Sequence, residues 1–108
     1  MALQTTVLRG NILNSFVMGV SVTATTVATS GASKNVTVPG LQVGDAVHVT
    51  LPAAQTTGVG IANAYVSAAN TLTIQFINAT GSSASAAAGT YTVVVDRAES
   101  LPLASNAV

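Results

Sequence analysis

Cysteine is missing from all 108 residues, so disulfides and thiolate metal sites are excluded. Tryptophan is missing too, and two Phe and two Tyr make up the whole aromatic complement. Val, Ile and Leu must therefore build the core, at about 1.5–3 kcal/mol for each fully buried side chain. Much of the 49% hydrophobic content is Ala, which buries little surface, so a thin core is expected. The length fits one domain, and a chain of 10.6 kDa buries roughly 65% of its extended surface on folding.

Charge is scarcer still. Only 6% of the residues are charged, against about 25% in ordinary soluble domains. Arg9, Lys34 and Arg97 balance Asp45, Asp96 and Glu99, so the net charge is zero. A surface without net charge lacks the repulsion that keeps copies and partners apart, and the cores of protein interfaces are themselves charge-poor. Two readings fit: an assembly subunit whose surface neighbours cover, or a secreted β-module rich in Ser and Thr. Nucleic acid is not an expected partner, because gripping a phosphate backbone takes clustered Lys and Arg.

Long apolar runs are also lacking, although the mean hydropathy is +0.60. The most apolar window, residues 12–28, is broken by Asn14, Ser15, Ser21, Thr23, Thr25 and Thr26. A spanning helix needs about 18 or more nearly unbroken apolar residues, so no membrane partner is expected. No secretory signal pattern is visible either: the first basic residue is Arg9, and Asn11, Asn14 and Ser15 interrupt the stretch after it.

What the chain does contain is Val and Thr, both stiff at χ1 and suited to pleated sheet. Apolar residues recur with period two, the strand signal. Val20 and Val22 alternate with Ser21 and Thr23 inside an extended stretch from Phe16 to Thr29. Val36 and Val38 lead to a turn at Pro39-Gly40, and Val47, Val49 and Leu51 are closed by Pro52. A blurred strand runs from Val59 to Ser67, with Gly58 and Gly60 suggesting a bulge or loop at its start. Leu72, Ile74 and Phe76 give the cleanest alternation, and Tyr91, Val93 and Val95 the last. The fold class expected is all-β: a jelly-roll-like or Greek-key β-sandwich of about six to eight short antiparallel strands. The sandwich is expected over residues 16–97, with an extended N-terminal arm (1–15) and a C-terminal tail (98–108). The run from Gly81 to Gly89, all Gly, Ser and Ala, reads as a loop.

Catalytic chemistry has little to work with. His48 is the single histidine, at a polar-phase position of a strand, and no second His completes a metal site. Asp45 sits in a turn, where Asp commonly bonds its own backbone, and Asp96-Arg97 reads as a solvent-facing or interfacial ion pair. Ser and Thr are plentiful, but no nucleophile elbow is present, and Gly58-Val59-Gly60 lacks the rest of a dinucleotide fingerprint. No enzyme, cofactor or metal is expected. Asn35-Val36-Thr37 and Asn78-Ala79-Thr80 match the glycosylation pattern and are read as chance.

Three stretches together resemble a known family: Val36 to Val49, with Pro39-Gly40-Leu41-Gln42-Val43-Gly44-Asp45; Asn70 to Thr80; and Ala88 to Arg97. They are similar to small structural proteins of tailed bacteriophages, in particular the head decoration or cement proteins with a jelly-roll-like fold. The similarity covers about residues 16–97, and strand-turn patterns of this type also occur in tail and fibre modules and in bacterial Ig-like repeats. The resemblance implies a virion protein on the outer surface of the capsid that bridges neighbouring major capsid protein subunits. It carries no catalytic motif. The charge-poor surface separately argues for a homo-oligomer, and dimer and trimer both fit closed symmetry. Under the resemblance, Leu8, Ile12, Leu13 and Phe16 are the expected arm contacts, with Leu101 and Leu103 in the tail. Deleting residues 1–15 is then expected to abolish capsid binding and leave the β-fold intact. A tail, fibre or adhesin module is the main alternative. A carbohydrate-binding sandwich is a further one, but such sites usually offer exposed aromatic rings, whereas Tyr65 and Tyr91 are the only tyrosines and Tyr91 alternates with core Val.

Overall fold

A computed structural model describes residues 6–7, 11–99, 101–103 and 105–107. Its ten strands, in chain order, are β1 Thr6–Val7, β2 Ile12–Val22, β3 Thr25–Val27, β4 Ala32–Thr37, β5 Ala46–Thr50, β6 Val59–Ala68, β7 Thr71–Asn78, β8 Ala84–Ala86, β9 Gly89–Ala98 and β10 Asn106–Ala107. The described residues contain no helix, hence none long and apolar enough to cross a membrane.

Two three-stranded antiparallel sheets face each other, ordered β2-β9-β5 and β4-β7-β6. Of the six strands in these sheets, only β6 and β7 are joined as a hairpin; the remaining connections pass from one sheet to the other, in the Greek-key manner. The hairpin turns on Ala69-Asn70, where Asn70 takes the positive φ of 62° that Asn tolerates. A small pair, β3-β8, covers one end of the sandwich, and β1 pairs in parallel with β10.

The alternation read from the sequence is the alternation that buries the core. Leu72, Ile74 and Phe76 of β7 face Tyr91, Val93 and Val95 of β9, all at most 2% exposed. Val20, Val22, Val27, Val38, Leu41, Val49, Val59, Val66 and Ala86 complete the cluster. The scarcity of large side chains is met by one buried Tyr. The Tyr91 hydroxyl donates to the Ala87 carbonyl (2.6 Å) and accepts from Gln55 Nε2 (2.9 Å).

Three sequence boundaries shift. The strand expected from Phe16 to Thr29 is two strands, because Thr23-Ala24 breaks the pairing as the chain leaves one sheet for the β3-β8 pair. The arm expected over 1–15 gives up its last residues to β2, where Ile12 pairs with Ala98, Asn14 with Arg97 and Ser15 with Asp96. Deleting residues 1–15 would therefore cut into a sheet strand. The Gly81–Gly89 loop contains β8, whose Ala86 is 1% exposed. A strand of Ala and Ser carries no apolar alternation to reveal it; pairing with β3 and a hydrogen bond from Thr56 Oγ1 to Ser85 O (2.5 Å) hold it. Of the bulge or loop expected at Gly58 and Gly60, the loop is present as the turn at Thr57-Gly58 that opens β6, and a bulge lies further on, between Ile61 and Asn63.

Candidate docking surface

At one end of the sandwich, the start of β2, the β4–β5 loop and the end of β9 converge on a hollow of about 250 Å³. Leu13, Val43 and Leu101 supply its large apolar side chains, and Asp45 and Arg97 its charged pair, with Glu99 beside them. The three apolar side chains are 61–64% exposed, far from the burial that apolar groups gain in a core. Ile12 and Leu103, next to them in the chain, are also exposed.

The loop that forms the floor is tightly specified. Gln42 N–H donates to Asp45 Oδ2 (3.0 Å), the local bonding that makes Asp a turn residue. Arg97 donates through Nε to Asp45 Oδ1 (2.9 Å) and through Nη2 to Asp45 Oδ2 (2.7 Å) and Gly40 O (2.8 Å). The peptide N–H of the same Gly40 donates to Asn70 Oδ1 (2.8 Å), and Val38 N–H and Leu41 O bond the Asn70 backbone. The chain of contacts from Arg97 to Asn70 thus crosses from one sheet to the hairpin of the other. Arg97 hydrogen bonding holds the Asp45 carboxyl below its ordinary range, helped by the Gln42 N–H and the guanidinium charge, against the opposing effect of burial. The same pairing raises Arg97.

Gly44 is required here twice over. Its φ of +100° disfavours any side chain, and a Cβ would stand 2.8 Å from Leu101 Cδ1. The absent side chain is the seat on which Leu101 rests.

Of the six contact residues expected from the sequence, Leu13 and Leu101 share this hollow. Ile12 and Leu103 are exposed but do not line it. Phe16 stands in β2, half-buried against the core, with the Arg97 guanidinium 6.0 Å from its ring centroid. Leu8 lies outside the described residues. Val43 is an addition that periodicity could not supply, because it is a single Val inside a turn. Its one signal is an apolar residue between two polar turn positions, Gln42 and the Gly44-Asp45 pair.

Other expectations resolve elsewhere. Asp96 is not the partner of Arg97: on adjacent positions of β9 the two side chains project to opposite faces, and Asp96 accepts from Ser15 Oγ (2.7 Å). His48 is exposed on β5, and among the described residues no three of His, Cys, Asp and Glu gather as a metal site. The Asn78 amide is spent inside the protein: Nδ2 donates to Val27 O and Ser82 O, each at 2.8 Å, and Oδ1 accepts from Thr80. Tyr91 is fully buried, which leaves Tyr65, 42% exposed, as the one described tyrosine ring open to a ligand.

No protein-family model, curated protein or solved structure matches this chain.

Proposed function

We propose that this chain is a structural virion protein that binds the outer surface of a phage capsid and bridges neighbouring major capsid protein subunits. The observation that carries the reading is the exposed apolar end: Leu13, Val43 and Leu101 held open around a braced hollow. A free-standing monomer gains nothing from that arrangement, whereas a partner surface covering it gains about 25 cal/mol for each Å² of apolar area removed from water. The near absence of charge supports the same reading, since neutral subunits pack closely on a repeating shell without mutual repulsion. Repetition then multiplies a modest contact into firm attachment, and binding only the assembled shell stabilises that state by linkage. In this role the protein has no catalytic site and needs no cofactor.

The test is co-sedimentation with capsids of the parent phage from which the protein has been removed. The wild-type chain is expected to restore full occupancy, and a Leu13→Asp/Leu101→Asp variant to bind at least tenfold more weakly with an unchanged circular dichroism spectrum. Normal decoration by that variant overturns the reading. A tail, fibre or adhesin module shares the apolar end and the neutral surface, and gold-labelled antibody on intact virions separates the two by marking head or tail.

A further inference from the structure

We propose that the free edge of β2 is a self-association site, at which two copies pair antiparallel about a two-fold axis through Val17. The inference goes beyond capsid attachment and is read on the free protein in solution.

An unpaired strand edge offers a row of N–H and C=O groups to any other strand, and folded proteins ordinarily guard it with short length, charge or proline. The remaining edges here are guarded. β4 carries Lys34 on its inward-facing side, and Lys34 Nζ donates to Thr23 Oγ1 (2.8 Å) across the open side of the sandwich. β5 is five residues long and faces β6 across a hollow lined by Val47, His48, Ile61 and Asn63; β6, which also lacks charge and proline, is broken by bulges between Ile61 and Asn63 and between Val66 and Ala68. β3 and β8 are three residues each. β2 is different: eleven residues, with no Lys, Arg, Asp, Glu or Pro, in unbroken register from Asn14 to Val22, hydrogen-bonded on one side to β9 and on the other to no described strand.

The occupant that fits is a second β2. A two-fold through Val17 sets Val17 opposite Val17, Phe16 opposite Met18 and Ser15 opposite Gly19, so the parity of both faces is kept. On the inner face, the half-buried Phe16 and Met18 of each copy then meet in two aromatic–thioether pairs. On the outer face, Val17, 66% exposed, covers its own counterpart, and nothing charged in either strand opposes the approach. The product is a continuous six-stranded sheet, β5-β9-β2 joined to its symmetry copy, with the same patch used on both sides as two-fold symmetry requires. At about 3.3 Å per residue the strand is roughly 36 Å long. A strip of that length about 10 Å deep covers roughly 360 Å² per copy, less than the ~800 Å² of a standard stable interface. The dimer is therefore a weak one that forms at elevated concentration or on a crowded shell.

Sedimentation equilibrium of the full chain up to about 1 mM, the weak end of specific affinity, decides it. The wild type is expected to dimerise with a dissociation constant in the micromolar range. Val17→Lys and Val17→Glu each put like charges directly opposite and are expected to weaken dimerisation at least tenfold. An equimolar mixture of the two is expected to recover the dimer. Ile77→Lys, at an exposed position on the outer sheet face away from β2, serves as the control and leaves dimerisation unchanged. All three substitutions fall at exposed positions, so thermal melts are expected to match the wild type. A wild type that stays monomeric to about 1 mM, Val17 variants that dimerise normally, or a mixture that fails to recover the dimer overturns the proposal.

Discussion

Arg97 holds Asp45 in a two-pronged grip, one prong at 2.9 Å and the other at 2.7 Å, with the Asp45 side chain only 3% exposed. The parallel donors of a guanidinium match the two oxygens of a carboxylate, which makes this geometry selective as well as strong. Here it joins β9 to the turn that opens β5 and passes a third hydrogen bond to Gly40.

That grip sets an acid limit on stability. Because Asp45 has a lowered pKa in the folded protein, its contribution is present above the ordinary carboxylate value of about 3.9 and is lost as pH falls through the lower, folded value. The melting temperature is expected to hold level from neutral pH to about pH 5 and to fall below about pH 4. Asp45→Asn is expected to melt lower at neutral pH and to show a shallower acid limb, since the gripped carboxylate no longer takes up a proton on unfolding. Calorimetry across the acid range checks it; an acid limb identical in both proteins removes Asp45 as its cause.

Tyr91 is fully buried in the core, and its polar tip is hydrogen-bonded within the protein. Its hydroxyl bonds Gln55 and the Ala87 carbonyl, while Gln55 Oε1 accepts from Ala87 N–H (2.5 Å) and Thr56 N–H (3.0 Å). Tyr91→Phe keeps the packing and strips Gln55 and Ala87 of one partner each, at about 1–3 kcal/mol. Urea denaturation is expected to show a lower midpoint with an unchanged slope. Combined with Gln55→Ala, the loss is expected to be smaller than the sum of the two single losses, because they share one network. Strict additivity would mean that the two side chains do not act together.

The period-two pattern makes most of this architecture legible, because a strand with one buried face must alternate. Leu72 to Phe76 and Tyr91 to Val95 write their burial directly into the sequence. Two kinds of feature leave no such trace. β8 is built from Ala and Ser and exists through pairing and through the Thr56 and Gln55 contacts, all of which are distant in sequence. The candidate docking hollow depends on Leu13, Val43 and Leu101 meeting in space, and only the first and last stand out in the sequence, as apolar residues toward the ends of the chain. The partner of Arg97 is equally hidden: Asp96 is adjacent in sequence, but strand alternation sends it to the opposite face, and Asp45 lies fifty-two positions away.

Gly58 has a φ of +85°, and a Cβ there would run into Thr80 Cγ2. Gly58→Ala therefore combines a backbone cost of about 1–3 kcal/mol with a steric one. Thr80→Ser removes the methyl but keeps the hydroxyl that bonds Asn78 Oδ1 (2.7 Å) and Ser82 O (2.6 Å). The double variant is expected to recover the steric part and retain the backbone part, so that it melts between Gly58→Ala and the wild type. Equal melting of the single and double Gly58 variants would assign the whole loss to the backbone.

Leu101 and Gly44 separate docking from folding at the apolar end. Leu101 is 61% exposed, so Leu101→Ala removes little buried surface and is expected to leave the melting temperature within a degree or so of the wild type. If this end meets the capsid, the same change still lowers occupancy on stripped capsids, because the lost contact is intermolecular. Gly44→Ala is expected to lower both readouts: the left-handed backbone is strained by about 1–3 kcal/mol, and the new methyl displaces Leu101 from its seat. The far end of a leucine side chain yields easily, so adding Leu101→Ala to Gly44→Ala is expected to restore almost none of the stability. Full occupancy by Leu101→Ala would show that Leu101 makes no capsid contact, and would move the search for that contact to Leu13 and Val43.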